Sequence, residues 1–544
     1  MRRSKGLRCA ASVALAVLSV PLFIAVSADA QTGALPNSPV AQGRAIFTQS
    51  CSGCHGADLT GGRGPSLFNP RLFARLTDAA IHRTVETGIK DSEMPPFAGT
   101  LSGSQIDAVI AYLHDRSRQL TGPAATGPLP AATNGPAPRT QMIGGPLPDP
   151  DGQRVHTRTQ DIQLKILVDD LDTPFGLAFL PDGRLLITER APQAALRLVD
   201  PTGKKASIRV AGLPRVHEGQ DAGLLDVAIG PNYAKDGWIY LAYSDDDPNV
   251  PEPPAAPPDT PDYLVPRKPS LTVIVRGKLD ANNRWVDQQD IFRAPWSSYS
   301  TSGMHYGSRI AFDGKGHLLF SIGERGDMKK AQDLGHPAGK IHRLNLDGTI
   351  PADNPFVKTP RALPSIWSFG HRNPEGLAID PATGIVWESE HGPSGGDEVN
   401  IIEPGKNYGW GVVSKGMQPG IKDVSAPNMV EPVAWYFPTI APSGIAFYEG
   451  TRYAGWKGSL LLSALRGQQL RRLTIEGRQV VSEEVLFSGL GRVRAIATGP
   501  DGLLYALMTD PTGPGYNVNF TEPVHGELVR IDPITWKQAE FKFQ

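Results

Sequence analysis

The chain has 544 residues, with 54 basic and 55 acidic side chains, a formal net charge of −1 and only three cysteines. This length exceeds that of one ordinary domain, so two or more folded units are expected. Acids and bases are spread along the whole sequence without a basic block that could neutralise a run of phosphates, which excludes nucleic acid as an expected partner.

The N-terminal segment predicts an export signal. Four basic residues precede an apolar run that extends to Val26, and the small residues of "ADA" end at Ala30. This order is typical of a cleaved secretory signal. We therefore expect residues 1–30 to be removed and the mature protein to be periplasmic or secreted, with no membrane insertion after cleavage. Because the apolar run is long for a signal core, an uncleaved anchor is the alternative.

Residues 31–120 have the pattern of a small helical domain. In "SGSQIDAVIAYLHDRS", Ser102 and Gln105 form a capping box, and apolar residues at helical spacing follow them. Residues 121–155 come next and are rich in Pro, Gly and Ala. Such a composition cannot bury a core, and it predicts an extended linker.

The motif "CSGCHG" in the helical segment predicts a c-type haem. The thiols of Cys51 and Cys54 would form thioether bonds to the haem, and the adjoining His55 would bind the iron. Half a zinc site or a thiol redox pair is the alternative, but no second Cys/His cluster accompanies the motif. Met94, in a Pro-stiffened loop, is the predicted opposite iron ligand; the alternative is a core methionine, with His82 as the ligand. The segment resembles class I c-type cytochromes.

Residues 156–540 contain a weak repeat of two apolar strands joined by a turn with Asp, Gly or Pro. Each copy predicts a β-hairpin, and six copies occur, from "PFGLAFLPDGRLLITER" to "VRAIATGPDGLLYALMTD". Repeated strand units in a chain with few helical patterns favour a six-bladed β-propeller over a β-sandwich. The predicted fold is therefore mainly β, with a small all-α domain before it.

Five motifs in this region resemble the soluble pyrroloquinoline-quinone (PQQ) dehydrogenases, the aldose sugar and soluble glucose dehydrogenase family. They are "GQDAGLLDVAIGP", "HYGSRIAFDGKGHLLFSIGERGD", "SFGHRNPEGLAIDP", "ESEHGPSGGDEVNIIEPGKNYGW" and "GRVRAIATGPDGLLYALMTD". The resemblance implies that His305 is the catalytic base and that Glu324, where the family usually has aspartate, holds it in position. It also implies that Arg372 acts at the quinone.

The same resemblance implies a cofactor pocket rich in cations. Its predicted PQQ contacts are Gln220, Arg372, Asn373, Arg466, Arg492 and Arg494, with Arg466 replacing an expected lysine. Calcium is implied at the carbonyls of Gly392 and Pro393, at Glu398 and at Tyr408, because calcium prefers oxygen donors. The alternative for Asp397 and Glu398 is a solvated acidic turn.

These features together predict an exported protein that oxidises the C1 hydroxyl of an aldose to a lactone. PQQ and calcium would serve the propeller, haem c would take the electrons, and an external acceptor such as a cytochrome or a respiratory-chain component would receive them. A calcium-dependent propeller lactonase is one alternative, since a fold alone does not define a function. A non-catalytic carbohydrate-binding electron relay is the other.

Overall fold

The structure is a computed structural model that describes residues 38–55, 67, 77–88, 94, 96–120, 149–202, 206–255, 265–437, 439–510 and 524–534. The predicted export signal and residues 121–148 of the predicted linker lie outside these residues. The boundaries expected at residues 30, 120 and 155 remain predictions.

The N-terminal segment is helical in its described part. Its helices are α1 (Pro39–Ser50), α2 (Ser52–His55), α3 (Asp78–Thr87) and α4 (Gly103–Leu120). The predicted capping box is confirmed at the start of α4, where the Gln105 N–H donates to Ser102 Oγ (3.3 Å) and the Ser102 N–H donates to Gln105 Oε1 (2.8 Å). An apolar cluster that includes Phe47, Val109 and Tyr112 joins α1 to α4.

The rest of the described chain forms six antiparallel sheets, the blades of a propeller. Blade 1 has β3 (Pro174–Phe179), β4 (Leu185–Glu189), β5 (Ala195–Val199) and β6 (Ile208–Arg209). Blade 2 has β7 (Leu224–Ile229), β8 (Ile239–Asp246), β9 (Ser270–Leu279) and β10 (Trp285–Phe292). Blade 3 has β11 (Ile310–Phe312), β12 (His317–Ile322), β13 (Lys340–Asn345) and β14 (Ile366–Phe369).

The remaining three blades complete the ring. Blade 4 has β15 (Pro374–Ile379), β16 (Val386–Glu390), β17 (Asp397–Ile402) and β18 (Ala434–Tyr436). Blade 5 has β19 (Pro442–Phe447), β20 (Leu460–Ala464), β21 (Gln469–Glu476) and β22 (Gln479–Ser488). Blade 6 has β23 (Arg492–Thr498), β24 (Leu504–Thr509) and β25 (His525–Ile534), followed outward by β2 (Asp161–Asp172) and β1 (Arg154–His156). Short helices α5 (Tyr233–Asp236) and α6 (Met328–Gln332) and a 3₁₀ turn (Trp296–Ser298) lie between strands.

The six predicted hairpins are the first two strands of the six blades, so the propeller prediction is confirmed. The first strands contact one another in the cyclic order β3, β7, β11, β15, β19, β23 and back to β3, which makes a closed ring rather than a sandwich. The N-terminal β2 pairs with the C-terminal β25, from Asp161 opposite Ile534 to Asp172 opposite His525. This pairing closes the ring and leaves blade 6 with strands from both ends of the domain.

An apolar cluster fills the space between each pair of neighbouring blades. Strand β12 shows how the sequence does this: Leu318 and Phe320 pack towards blade 2, whereas Leu319 packs towards blade 4. Both faces of a middle strand are therefore buried, which explains its continuous apolar run. Among the helices that the structure describes, none combines the length and the apolar character needed to cross a bilayer.

Candidate active site

The residues predicted to bind PQQ and to catalyse the reaction gather at one end of the propeller channel. Within each blade the first two strands are antiparallel, so the start of the first strand and the end of the second lie at the same end of the channel. Thus Asn373 directly precedes β15 and Arg492 begins β23, whereas Glu324 follows β12. His305 lies in the segment before β11, at that same end.

His305 and Glu324 form a buried pair. His305 is 7% exposed and Glu324 3%. The Nδ1 atom of His305 lies 2.8 Å and 2.7 Å from the two carboxylate oxygens of Glu324. A carboxylate partner places the proton on Nδ1, so Nε2 is the basic nitrogen of the ring. The predicted geometry of this pair is present even though glutamate replaces aspartate.

The backbone around His305 is held in an unusual conformation. His305 has φ +58°, in the left-handed region that costs a non-glycine residue about 1 kcal/mol or more. A Cβ atom at Gly323 would lie only 2.3 Å from the His305 carbonyl oxygen, so only glycine permits this approach. The close approach brings the end of β12, and with it Glu324, against the histidine.

Arg372 and Asn373 belong to the same network as this pair. The Glu324 N–H donates to the Arg372 carbonyl (2.8 Å), and the Gly307 N–H donates to Asn373 Oδ1 (3.1 Å). The Arg372 guanidinium donates to the His391 carbonyl (3.2 Å) and lies over the Trp410 ring, 5.2 Å from its centroid. The structure therefore brings the predicted catalytic residues and Asn373 together.

Arg494 and Arg492 supply positive charge beside Asn373. Arg494 donates to Glu375 Oε2 (2.5 Å), and Asn373 Nδ2 donates to Glu375 Oε1 (3.1 Å). Burial lowers the pKa of Arg494 to about 10, against the opposing effect of Glu375. Burial and the nearby charge of Arg494 lower the pKa of Arg492 to about 9. Several positively charged side chains are therefore close together on this side of the site.

Two further predicted contacts lie at the edge of this cluster. The Gln220 carbonyl accepts a hydrogen bond from Arg190, and the neighbouring Asp221 accepts the His305 N–H at 3.3 Å. Arg466 follows β20, is exposed, and is close enough to contribute to the lowered pKa of Arg492. A cluster of arginines fits a polyanionic ligand, and PQQ, which carries carboxylates, is such a ligand.

Arg309 lies beneath this cluster and crosses the channel axis. It precedes β11 in blade 3, and its buried guanidinium donates to one atom in each of the other five blades: the carbonyl of Phe175 (3.4 Å), Asp226 Oδ1 (3.0 Å), the carbonyl of Glu375 (2.7 Å), Ser443 Oγ (3.5 Å) and the carbonyl of Arg494 (3.0 Å). The site therefore has a floor made by one side chain.

A group of buried carboxylates lies in blade 4, between β16 and β17. Glu388 and Glu390 face Asn400 and Glu398 across the two strands. Asn400 Nδ2 donates to Glu388 Oε2 (3.1 Å) and to Glu398 Oε2 (3.2 Å). Burial and the charge of Glu390 raise the pKa of Glu398 to about 8, and the same two causes raise the pKa of Glu388.

This cluster of carboxylate side chains has the chemistry of a site for a hard cation. Ligand atoms of His371, Glu388 and Glu390 lie within 4.8 Å of one another. Glu388 Oε1 and Asn400 Oδ1 are buried, and neither has a hydrogen-bond partner among the described residues. Buried oxygens with excess negative charge fit calcium, which would replace the missing partners.

Asp397 and Tyr408 have structural contacts in the same region. Asp397 is fully buried and accepts from the N–H groups of Gly392 (2.9 Å) and Ile440 (2.6 Å), so the alternative of a solvated acidic turn is wrong. Tyr408 stacks on His371 at 4.6 Å, and its hydroxyl donates to the Ile401 carbonyl (2.6 Å). The hydroxyl is thus already bonded within the protein, and the assignment of Tyr408 as a calcium ligand remains a prediction. Asp397 fixes the turn that carries Gly392 and Pro393.

The haem motif lies at the junction of α1 and α2. His55 is 7% exposed, and its N–H donates to the Cys51 carbonyl (2.9 Å). Cys51 packs against the cluster between α1 and α4, and Met94 packs against a neighbouring cluster that contains Ile81 and Ile106. The side chain of Cys54 lies outside the described part. The apolar packing around Cys51 and around Met94 fits a haem, which needs a dry pocket.

Sequence reasoning missed two residues at the centre of the site. Glu375 and His391 are half-buried, with His391 Nε2 3.7 Å from Glu375 Oε2. Burial would raise the pKa of Glu375, but nearby His391, Arg494 and Arg309 lower it to about 2. Burial lowers the pKa of His391. Their only sequence signal was proximity to Asn373 and Gly392 within two of the quoted motifs.

Comparison with known proteins identifies the family. A family model described as glucose/sorbosone dehydrogenase matches residues 171–516. The chain belongs to the glucose/sorbosone dehydrogenase family. A second model, described as cytochrome c oxidase, cbb3-type, subunit III, matches residues 38–113, so the family's propeller is joined here to an N-terminal cytochrome c domain.

Relatives of each part agree with this assignment. The propeller is similar to aldose sugar dehydrogenase YliI of Escherichia coli, with 34% identity over 68% of this chain and 93% of the relative. It is also similar to the structure of the PQQ-bound form of aldose sugar dehydrogenase from Streptomyces coelicolor, with 27% identity, a TM-score of 0.52, and 68% and 98% of the two chains covered. The N-terminal part is 42% identical to cytochrome c55X of Pseudomonas aeruginosa over 62 residues, which is 11% of this chain and 51% of that protein. The chain is thus a member of a PQQ sugar dehydrogenase family fused to a cytochrome c domain.

Proposed function

We propose that this protein oxidises the C1 hydroxyl of an aldose to a lactone with PQQ, and that the electrons pass to its own haem c. The observation that carries the proposal is the buried His305–Glu324 pair beside Arg372, within a cluster of arginines at one end of the channel. The protein would act outside the cytoplasm after removal of its N-terminal signal. An external electron acceptor would then reoxidise the haem.

His305 is positioned to act as the general base. With its proton on Nδ1 shared with Glu324, the Nε2 atom can take the proton of the sugar C1 hydroxyl. The Glu324 carboxylate stabilises the imidazolium that this transfer creates. PQQ, when bound, supplies the two-electron acceptor for the hydride that leaves C1. The lactone forms as the C1 hydroxyl loses its proton and the C1–H bond breaks.

In this proposal the arginines bind PQQ and do not transfer the proton. Arg494 and Arg492 would pair with carboxylates of PQQ, and Arg372 would stabilise negative charge on a quinone oxygen. The carboxylate group of blade 4, with the carbonyls of Gly392 and Pro393, would hold calcium. Family membership favours this oxidoreductase over the lactonase alternative, and the intact His305–Glu324 pair argues against a non-catalytic relay.

The test uses the full chain loaded with haem, PQQ and calcium. Addition of an aldose without external acceptor should reduce the haem, seen as growth of the ferrous α-band, at a first-order rate independent of protein concentration. Cleavage of the linker between Thr121 and Pro150 should make haem reduction bimolecular while dye-linked sugar oxidation continues, because the tether no longer sets a local concentration.

Electron transfer to the haem and the dehydrogenase activity can be refuted independently of each other. Dye reduction with a haem that stays oxidised would refute intramolecular transfer but keep the dehydrogenase. Absence of dye reduction across an aldose panel, with PQQ shown to be bound, would refute the dehydrogenase itself. Export is tested by N-terminal sequencing of the mature protein, which should begin near Gln31.

A further inference from the structure

Arg325 follows Glu324 directly and is a buried cation with neutral partners. Its side chain is 1% exposed, which makes it one of the largest fully buried side chains of the described chain. The guanidinium donates to the carbonyls of Met304 and Ser302 and, at 3.4 Å, to Ser270 Oγ. None of these partners carries a charge.

The same guanidinium stacks on the residue that follows the histidine. The Cζ atom of Arg325 lies 3.4 Å from the centroid of the Tyr306 ring. The Tyr306 hydroxyl lies 2.7 Å from Ser270 Oγ, so the ring is fixed at its far end as well. Such a cation over an aromatic face is favourable, and more so when it is desolvated.

These contacts hold the chain on both sides of His305. Met304, immediately before the histidine, is bound through its carbonyl, and Tyr306, immediately after it, is bound through its ring. His305 between them has the left-handed backbone at φ +58°, and Arg325 itself has φ +61°. A strained conformation persists only where its surroundings impose it. The side chain of Arg325 supplies that constraint from the turn that also carries Glu324.

We infer that Arg325 is the positioning residue that keeps His305 in its left-handed conformation with its imidazole against Glu324. The inference rests on the proposed function, because it assigns a role in the same reaction. Arginine suits this role for a geometric reason. Its planar fork can donate to two carbonyls while its face stacks on a ring, which a lysine ammonium cannot do.

Stability alone does not account for this residue. Desolvating a cation costs free energy, and well-packed apolar residues often replace buried charges without loss of stability. Burial lowers the pKa of Arg325, although nearby Tyr306, Asp221 and Glu324 oppose this effect. The contacts converge on the two neighbours of His305, so the constraint falls on the catalytic base.

The test compares Arg325→Met and Arg325→Lys in the full holoprotein. Arg343→Met is the matched control, because Arg343 is also buried in blade 3 and lies 4.6 Å from the centroid of the Trp367 ring, yet it pairs with Asp353 (2.9 Å) away from His305. Both methionine variants should lower the melting temperature. Only the Arg325 variants should lower kcat, by about 10²-fold in Arg325→Met, as expected when a catalytic group is displaced by about 1 Å, and by less in Arg325→Lys. KM for the aldose and the midpoint of the PQQ titration should stay within about threefold of the parent.

A crystal structure of metal-free and PQQ-free Arg325→Met gives a second readout without turnover. It should show His305 outside the left-handed region, or Nδ1 separated from both oxygens of Glu324 beyond hydrogen-bond distance. If Arg325→Met does not fold, Arg325→Lys carries both measurements, with a smaller loss expected because its charge is kept.

Two results would overturn the inference. One is a kcat within about threefold of the parent in the Arg325 variant; the other is a crystal structure in which the φ of His305 and its pairing with Glu324 are unchanged. If the parent protein itself oxidises no aldose, the proposed function fails instead, and the crystal structure alone then decides whether Arg325 holds His305.

Discussion

The His305–Glu324 pair predicts a measurable cost for removing one charge. Glu324→Gln keeps the size of the side chain but replaces an anionic acceptor that lies 2.7 Å and 2.8 Å from Nδ1. A hydrogen bond to a charged group contributes about 1.5–3 kcal/mol. This contribution grows as the imidazole takes the substrate proton, so its loss falls on the transition state. At 1.36 kcal/mol for each factor of ten, kcat should fall by about 10- to 150-fold.

The assay is dye-linked aldose oxidation at saturating sugar, with PQQ binding followed separately by titration. PQQ affinity should be unchanged, because the Glu324 carboxylate accepts from His305 and, at 3.3 Å, from the Gly326 N–H, and the one bond to Arg372 comes from the Glu324 main chain, which the substitution keeps. Glu324→Asp is the matched variant that keeps the charge on a shorter side chain. Its kcat should lie between those of the parent and Glu324→Gln.

The reasoning would be refuted by a Glu324→Gln variant with parental kcat at full PQQ occupancy. It would also be refuted if kcat were kept and only KM rose, since the pair would then act in substrate binding. A lowered melting temperature alone decides neither, so each variant is assayed well below its own unfolding transition.

Three further predictions concern the binding of PQQ, the binding of calcium and the contacts that join the blades across the channel. Arg494→Met should weaken PQQ binding by about 10- to 150-fold in a fluorescence titration, because a charged donor is lost; an unchanged curve contradicts the pocket assignment. Glu398 has a pKa raised to about 8 in the folded protein, so its stabilising contribution is complete below its ordinary pKa and is lost as pH rises through 8. In excess chelator, the melting temperature should therefore fall as the pH rises from the ordinary pKa of a glutamate to about 8, and added calcium should restore it. Glu398→Gln should flatten this dependence of the melting temperature on pH. If calcium still raises the melting temperature of Glu398→Gln, Glu398 is not part of a calcium site. Arg309→Met should lower the free energy of unfolding in urea by about 3–5 kcal/mol, because Asp226 is left buried without its cation; a loss below about 1 kcal/mol would show that the contacts across the channel contribute little.

The architecture was predictable because its signals are local. Each hairpin carries its own alternation and turn, so six copies predict six blades without knowledge of how they meet. The pair of His305 and Glu324 was predictable only through the resemblance, since 19 positions separate the two residues and neither has a distinctive local pattern.

The other features of the site depend on the register of the strands and on the closure of the propeller ring, which local sequence does not encode. Glu388 faces Asn400 and Glu390 faces Glu398 only because β16 and β17 pair in one register, and a shift of one residue would move the carboxylates to the other face. Glu375 and His391 meet where two strand ends of blade 4 converge. The role proposed for Arg325 depends on the positive φ of His305 and of Arg325 itself. Helix and strand propensities do not predict that a residue has this left-handed backbone conformation.

Arg309 also determines how molecules move in and out of the channel. Its guanidinium donates to atoms of all five other blades at the channel axis, so the site is a cup with one opening rather than a tunnel with two. In the proposed reaction, the lactone must leave by the mouth through which the next sugar enters. Sugar and lactone then cannot pass through the mouth at the same time, so the lactone must leave before the next sugar enters.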